Sequence, residues 1–446
     1  MDNKKKILFW GDVPLCSTGF AQVSKNILKR LYNTGLYEID IIGINYGGEP
    51  IPKEFYDKYT IYPAIAALSN DSRYKNMYGF QRFLDMAGSG KYDIIFIIND
   101  TYVVNIIMPQ LLETQKKLPK DKKFSTIYYF PVDSPLKKEM ITNVVDKFDF
   151  PVVYTKYGKN ECMKYLPSLE SLPVIYHGVD QKDFFLLPPE EIADFKKKFF
   201  GSHSEKYVVL NVARNQPRKD LHKTFAAFKI FHDKYPNTVL LLVTQAEDVG
   251  GNLIEIAEQY HLTWDKDWIC PKPGTYGANQ GYPIEIINKI YNASDVVISS
   301  TQGEGWGLST SEGMATMTPI LMPKNTSLVE IIGENEERGY FCKSGTNLNL
   351  WSCLGPGDNN NVRPIIDVYD MAAKLEYIYL HPEEVKEKTK RAYSEVWTWD
   401  SVCEQWKEIF AKAAKKTEIM RSDIKQERNA LCLCGSGKKS KNCCSA

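Results

Sequence analysis

The chain has no apolar run near the roughly 20 residues a membrane-spanning helix requires. It also lacks a surplus of charge: 56 Lys and Arg oppose 55 Asp and Glu over 446 residues, a formal net charge of +1. No whole-molecule field therefore points to nucleic acid or a membrane surface as partner. Histidine is scarce, at 6, and no two stand at metal-ligand spacing. No Ser–His–Asp set can be read from chain order, and neither a Walker A loop nor a full G-x-G-x-x-G fingerprint is present. Six of the 10 cysteines are scattered (Cys16, Cys162, Cys270, Cys342, Cys353 and Cys403). Scattered thiols read as small buried hydrophobes rather than disulfides. The opening basic residues are followed by Ile7-Leu-Phe-Trp10, too short for a signal-peptide core. A cytoplasmic location is the expectation, and peripheral attachment to a membrane through a surface patch is compatible with it.

What is present is a repeated α/β pattern. The length implies two or three domains, and 43% hydrophobic with 25% charged residues is the composition of a soluble globular protein. Short apolar runs alternate with helical spacing: Ile7 to Trp10, a helix from Phe20 to Leu31 stopped by Gly35, then Ile39 to Ile44, Asp93 to Ile98, Ser125 to Val132, Val152 to Tyr154 and Pro173 to Tyr176. The pattern restarts at Tyr207 to Ala213, with a helix over Leu221 to Tyr235 and strands at Thr238 to Val243 and Asp295 to Ser300. This predicts two doubly wound domains with a ligand between them, at the carboxyl ends of the strands. The division lies near Asp180, giving 1–180 and 181–394. A helix at about 395–414, marked by Trp399 and Trp406, follows, and 415–446 is a charged linker with a cysteine-rich end.

The most informative segment is Ser299 to Pro319, where Glu304 and Glu312 have seven residues between them. An apolar strand precedes, the turn Gly303 to Gly307 follows, and a helix runs from Leu308. Free backbone N–H groups at a helix start receive anions or hydroxyl-rich ligands. Two ionised carboxylates beside them suit sugar hydroxyls, which donate hydrogen bonds. The segment resembles the Glu–seven–Glu motif of the family-4 retaining glycosyltransferases, which have the GT-B fold of two Rossmann-like domains facing a cleft. The resemblance spans about residues 5–410. It implies that Glu304 faces the donor sugar with the N–H groups of Gly305, Trp306, Gly307 and Leu308, and that Glu312 holds the nucleotide ribose.

Two further segments fit that likeness. Pro14 to Phe20 joins the first strand to the first helix, where Gly19 would let the backbone approach a diphosphate. Val212-Ala-Arg214-Asn-Gln-Pro-Arg218-Lys219-Asp220 opens the second domain. The resemblance assigns Arg214 and Lys219 to the donor's diphosphate, with Arg218 an extra cation beside them. Fixed cations there stabilise charge growing on the leaving group, so no catalytic metal is expected. Asp265-Lys-Asp267 is the tripeptide a metal-dependent alternative would use. Asp133, just after a strand, is expected to face sugar and acceptor. His177 reads as a hinge residue, with a role near the sugar as the alternative, and Asn45 and Tyr46 read as shapers of the acceptor side. The loop Thr244 to Asp248 departs from the family's Gly-rich turn and leaves the base unassigned.

The last signal is Cys432-Leu-Cys434-Gly-Ser-Gly-Lys-Lys-Ser-Lys-Asn-Cys443-Cys444. Four thiolates so close can hold a structural zinc, and the segment resembles the SEC-C motif. Residues 411–446 carry nine Lys or Arg against three Asp or Glu; this basic tail reads first as a solvated segment, with docking to an acidic partner as the alternative. The expected activity is transfer of a sugar from a nucleoside-diphosphate sugar to an acceptor hydroxyl on a glycan, a lipid-linked sugar, a protein or a modified nucleic acid. A glycosyltransferase working on modified DNA through its basic zinc tail shares these features. So does a non-catalytic sugar- or partner-binding scaffold.

Overall fold

Ile7, Leu8, Phe9 and Trp10 are all fully buried, so the first strand has a covering layer on each face. Strands buried on both sides belong to parallel sheets flanked by helices. The computed structural model describes residues 4–66, 68–272, 274–276, 281–422 and 426–444, and it contains two such sheets. The first has β1 (Lys5–Asp12), β2 (Tyr37–Ile44), β3 (Thr60–Pro63), β4 (Ile94–Ile98), β5 (Ser125–Phe130) and β6 (Phe150–Val153), in the order β3-β2-β1-β4-β5-β6. The second has β7 (Tyr207–Val212) and β8 (Thr238–Val243). After a small hairpin, β9 (Glu247–Asp248) and β10 (Gly251–Asn252), it continues with β11 (Trp268–Ile269), β12 (Val296–Ile298), β13 (Ile320–Pro323) and β14 (Tyr340–Cys342). Its order is β11-β8-β7-β12-β13-β14, and every pair in both sheets is parallel. Each order reverses direction once, between β1 and β4 and between β7 and β12. Crevices open at the carboxyl ends of such strand pairs.

The long apolar runs are strands as expected. The sequence pattern misses β3, β11 and β14, which have four, two and three residues and lie towards or at the sheet edges. Runs so short carry no readable period. Pro173 to Tyr176 is not a strand but a single bridge, Val174 beside Val153. An antiparallel hairpin, β15 (Trp351–Cys353) with β16 (Val362–Pro364), is an insertion without a clear apolar pattern.

Two chain crossings join the domains, and they lie side by side. Val179 N donates to Trp397 O at 2.8 Å, and Trp399 N donates to Val179 O at 3.2 Å. A side chain on Gly178 would place its Cβ 2.2 Å from Trp399 N, so glycine is what lets the two segments touch. His177 packs here among the rings of Tyr129, Tyr154, Trp306 and Trp399. Burial depresses its imidazole to about 3, so it is neutral. One continuous apolar cluster runs from β1 through this hinge to β7 and β13.

The helix Trp399–Arg421 then lies against the first sheet. Trp406 packs on Phe96 and Tyr129, and Phe410 on Phe96 and Tyr37. Beyond them Thr417 Oγ1 donates to Asp93 O at 2.7 Å, and Arg421 pairs with Asp93 at 2.5 Å. The helix therefore extends through Lys415 to Arg421, where the sequence reads as linker-like. Phe410→Ala is expected to cost about 3–5 kcal/mol, as for other fully buried aromatics, seen as a lower urea midpoint with the same folded spectrum.

Candidate functional site

The loop Ala213 to Asp220 leaves the carboxyl end of β7 and tightens into a short turn at Pro217–Lys219. That turn aims Arg218 and Lys219 at the crevice. Opposite them, the loop after β12 carries Glu304. Lys219 Nζ donates to Glu304 Oε1, and Arg218 Nη1 stands 3.6 Å from Glu304 Oε2. Arg218 Nε is also 3.4 Å from Asp133 Oδ2, which belongs to the loop after β5 of the other domain. The run ends at Arg363 on β16. It donates to Asp133 O at 2.8 Å and Oδ1 at 3.2 Å, and to both oxygens of Asp358 at 2.6 and 2.8 Å. Next to it Asn361 Nδ2 donates to Ser134 Oγ at 3.1 Å. The inserted hairpin thus straps the second domain onto the β5 loop of the first.

Burial alone would raise the carboxyls of Glu304 and Asp133. The neighbouring cations outweigh it. Lys219 and Arg218 hold Glu304 below the usual carboxylate range, and Arg218 and Arg363 do the same for Asp133. Both acids are therefore ionised. Gly303 makes this proximity possible: its φ is +151°, and a Cβ there would lie 2.0 Å from Asp133 O. The glycine in this turn serves the approach of two domains as much as the approach of a ligand.

Glu312 lies on the helix Leu308–Ala315, on the same side of the crevice. Tyr291 Oη donates to its Oε2 at 2.6 Å. Burial pushes the Glu312 carboxyl up to about 7; the tyrosine bond opposes this and Asp183 adds to it. Among the described residues, the N–H groups of Gly305, Trp306, Gly307 and Leu308 donate to no protein acceptor. The Trp306 side chain is not in the crevice: it is 3% exposed in the hinge cluster, with Nε1 on Ser311 Oγ at 3.0 Å. Gly19 starts the first helix directly across from that turn, and a Cβ on it would be 3.4 Å from Leu308 Cδ1. Thr18 caps the helix on Ala21 N at 3.1 Å and donates to Asp12 at 2.5 Å.

Arg214 is the residue the structure does not bring to this run. Its side chain is 59% exposed and pairs with Asp248 of β9 at 2.7 Å. The physical cause is its neighbour: buried Asn215 donates to Gly251 O at 2.8 Å and ties the loop to the hairpin, so Arg214 follows the hairpin. Arg218, one turn later, has the inward place. Sequence reasoning also passed over Arg363 and Tyr291. Arg363 sits in an insertion with no pattern to mark it. Tyr46 is packed with Val13, Cys16 and Ala21, and Asp267 accepts from Thr263 N at 2.9 Å in a turn before β11.

At the other end of the molecule, the Sγ atoms of Cys432, Cys434, Cys443 and Cys444 all lie within 4.8 Å of one another, with Cys434 and Cys443 at 3.5 Å and Cys443 and Cys444 at 3.9 Å. Four thiolates at Zn–S bonds of about 2.3 Å stand about 3.8 Å apart on a tetrahedron. The donor set therefore fits a closed, structural zinc site. Among the described residues it is the group of three or more ligand-type side chains close enough to hold a metal.

Residues 428–446 match the SEC-C motif family. No curated protein matches the chain. Solved structures do match along nearly the whole length. Sucrose-phosphate synthase from Thermosynechococcus elongatus is similar with a TM-score of 0.68 at 14% identity, covering 92% of this chain and 98% of that one. HepE from Anabaena, in complex with UDP and glucose, gives 0.66 at 13% identity, covering 91% and 99%. A glycosyltransferase from Rickettsia africae gives 0.65 at 16% identity, covering 92% and 99%. The fold is GT-B. In it the crevice between the two sheets holds the charged run described above.

The raised Glu312 carboxyl has a consequence for stability. A carboxyl whose folded value lies above its ordinary 4.5 binds its proton more tightly when folded. Its contribution is full below that value and is lost as pH rises through about 7. Glu312→Gln is therefore expected to melt higher than the parent protein at pH 8, with a smaller difference at pH 5, in thermal scans at the two pH values.

Proposed function

We propose that the chain is a glycosyltransferase that moves a sugar from a nucleoside-diphosphate sugar to an acceptor hydroxyl, with retention at the anomeric carbon and without a catalytic metal. The observation that carries this reading is the Lys219–Glu304–Arg218–Asp133 run across the GT-B crevice. Two cations and two ionised acids meet there at the carboxyl ends of both sheets. The likeness to structures with UDP and glucose in the same fold supports it.

In this reading the donor's diphosphate lies against Lys219 and Arg218, with the start of the Gly19 helix opposite. Phosphate oxygens take over part of the bonding that Glu304 now provides to Lys219. Glu304 is then free to accept from sugar hydroxyls, and the unused N–H groups of Gly305 to Leu308 donate to the donor. Glu312, once ionised, accepts from the ribose hydroxyls. Asp133 borders sugar and acceptor. The bond from the anomeric carbon to the diphosphate breaks while the acceptor oxygen bonds to the same face, and the departing phosphate oxygen takes the acceptor proton. The two cations stabilise the charge left on the diphosphate more in the transition state than before it. Arg218 thereby does what the family resemblance implied for Arg214. Residues 1–180 serve as the acceptor side and 181–394 as the donor side, with the helix Trp399–Arg421 returning to the first. The four C-terminal thiolates hold a structural zinc.

A panel of nucleotide sugars screened by thermal shift tests the reading, because a bound donor raises the melting temperature by mass action. At least one is expected to bind, and Lys219→Ala is expected to lower its hydrolysis or transfer at least about 100-fold. Binding of none, or full turnover by Lys219→Ala, would end it.

A further inference from the structure

Lys416 lies near the end of the helix Trp399–Arg421 and is 4% exposed. Its ammonium stands 3.0 Å from Asp149 Oδ1 and 2.8 Å from Cys443 Sγ. Asp149 is itself held. Its Oδ2 accepts from Thr126 N at 2.8 Å and Thr126 Oγ1 at 3.1 Å, on β5. The cysteine knob also rests on the helix through apolar contact, with Ile419 against Cys432 and Cys434. Lys412, one turn earlier, is an ordinary surface lysine: it is 39% exposed and paired with Glu408.

A buried lysine is costly unless its charge is met on the spot. Here one carboxylate of the first domain and one thiolate of the metal set meet it together. A zinc ion with four thiolates carries two net negative charges, and an ammonium donating to one sulfur offsets part of them. We propose that Lys416 is a positioning residue that couples the zinc site to the first domain, donating to a ligand thiolate on one side and to Asp149 on the other. Metal binding and docking of the helix end then stabilise each other, and this coupling is reciprocal by linkage. The knob is accordingly a staple on the GT-B body rather than a tethered tail. This holds whatever the crevice binds.

The test uses the full chain. The parent protein is expected to hold one zinc per chain by elemental analysis. Lys416→Met is expected to weaken zinc about 10-fold or more in competition with a chromophoric chelator, the usual size of a partner to a ligand atom. Lys412→Met should not. In the parent protein, removal of zinc should raise hydrogen exchange in 411–421 and 125–130 as well as in the knob. In Lys416→Met it should affect the knob alone. If the single variant folds poorly because Asp149 is left unpaired, the pair Lys416→Met with Asp149→Asn gives the same readout. A parent protein that binds no zinc, an unchanged zinc affinity in Lys416→Met, or a helix end indifferent to zinc would each overturn the proposal.

Discussion

Lys219, Glu304, Arg218, Asp133, Arg363 and Asp358 alternate in sign across the space between two sheets, and the relation of the domains depends on that alternation. Each charge is partly or wholly withdrawn from water, and each is tolerable because a neighbour of opposite sign sits against it. Removing any member would leave its neighbours exposed to the cost of desolvation. The run also ties together three separate pieces of chain: the turn after β7, the turn after β12 and the loop after β5, with the β15–β16 hairpin closing it. A negatively charged ligand entering between Lys219 and Glu304 would enter a site already balanced, exchanging one anionic partner for another. The cations then need not be desolvated afresh.

The hinge lets this arrangement exist. The crossings at Val179 and at Trp397 to Trp399 hydrogen-bond to each other, and the rings of His177, Trp306 and Trp399 fill the angle between the domains. A single apolar cluster thus extends from one sheet to the other. Beyond that cluster the apolar packing between the domains gives way to the charged run. Trp306 shows the division of labour within one short turn: its indole belongs to the hinge, while among the described residues its backbone N–H, like those of Gly305, Gly307 and Leu308, has no protein acceptor.

Much of the architecture is legible in the residues. The long apolar runs that become β1, β4, β5, β7 and β8 are unmistakable because a central parallel strand is buried on both faces. The helix beginning at Gly19 announces itself through Thr18 and the spacing of Phe20, Val23, Ile27 and Leu31. The four cysteines lie so close in sequence that their convergence in space follows almost from chain length. The edge strands β3 and β14 were not legible, since a few residues cannot establish a period. The inserted hairpin was not either, because its stability comes from Arg363 reaching another domain. Lys416 looks like Lys412 and Lys415 in sequence, and only its neighbours in space distinguish it.

The sequence by itself determined which residue types are available: two acids in a glycine-rich turn, cations after a strand, and thiols in a cluster. These are local facts, set by chain spacing and by the period of helix and strand. Tertiary structure alone decided which cation turns inward, because Asn215 ties the loop to a hairpin and carries Arg214 away while Arg218 faces the acids. It likewise decided that Asp133 is shared between arginines of the other domain, and that Gly303 is needed for a carbonyl belonging to that other domain. Such pairings join residues far apart in sequence, and the energy that selects them is the burial of charge between surfaces that do not exist until the chain has folded.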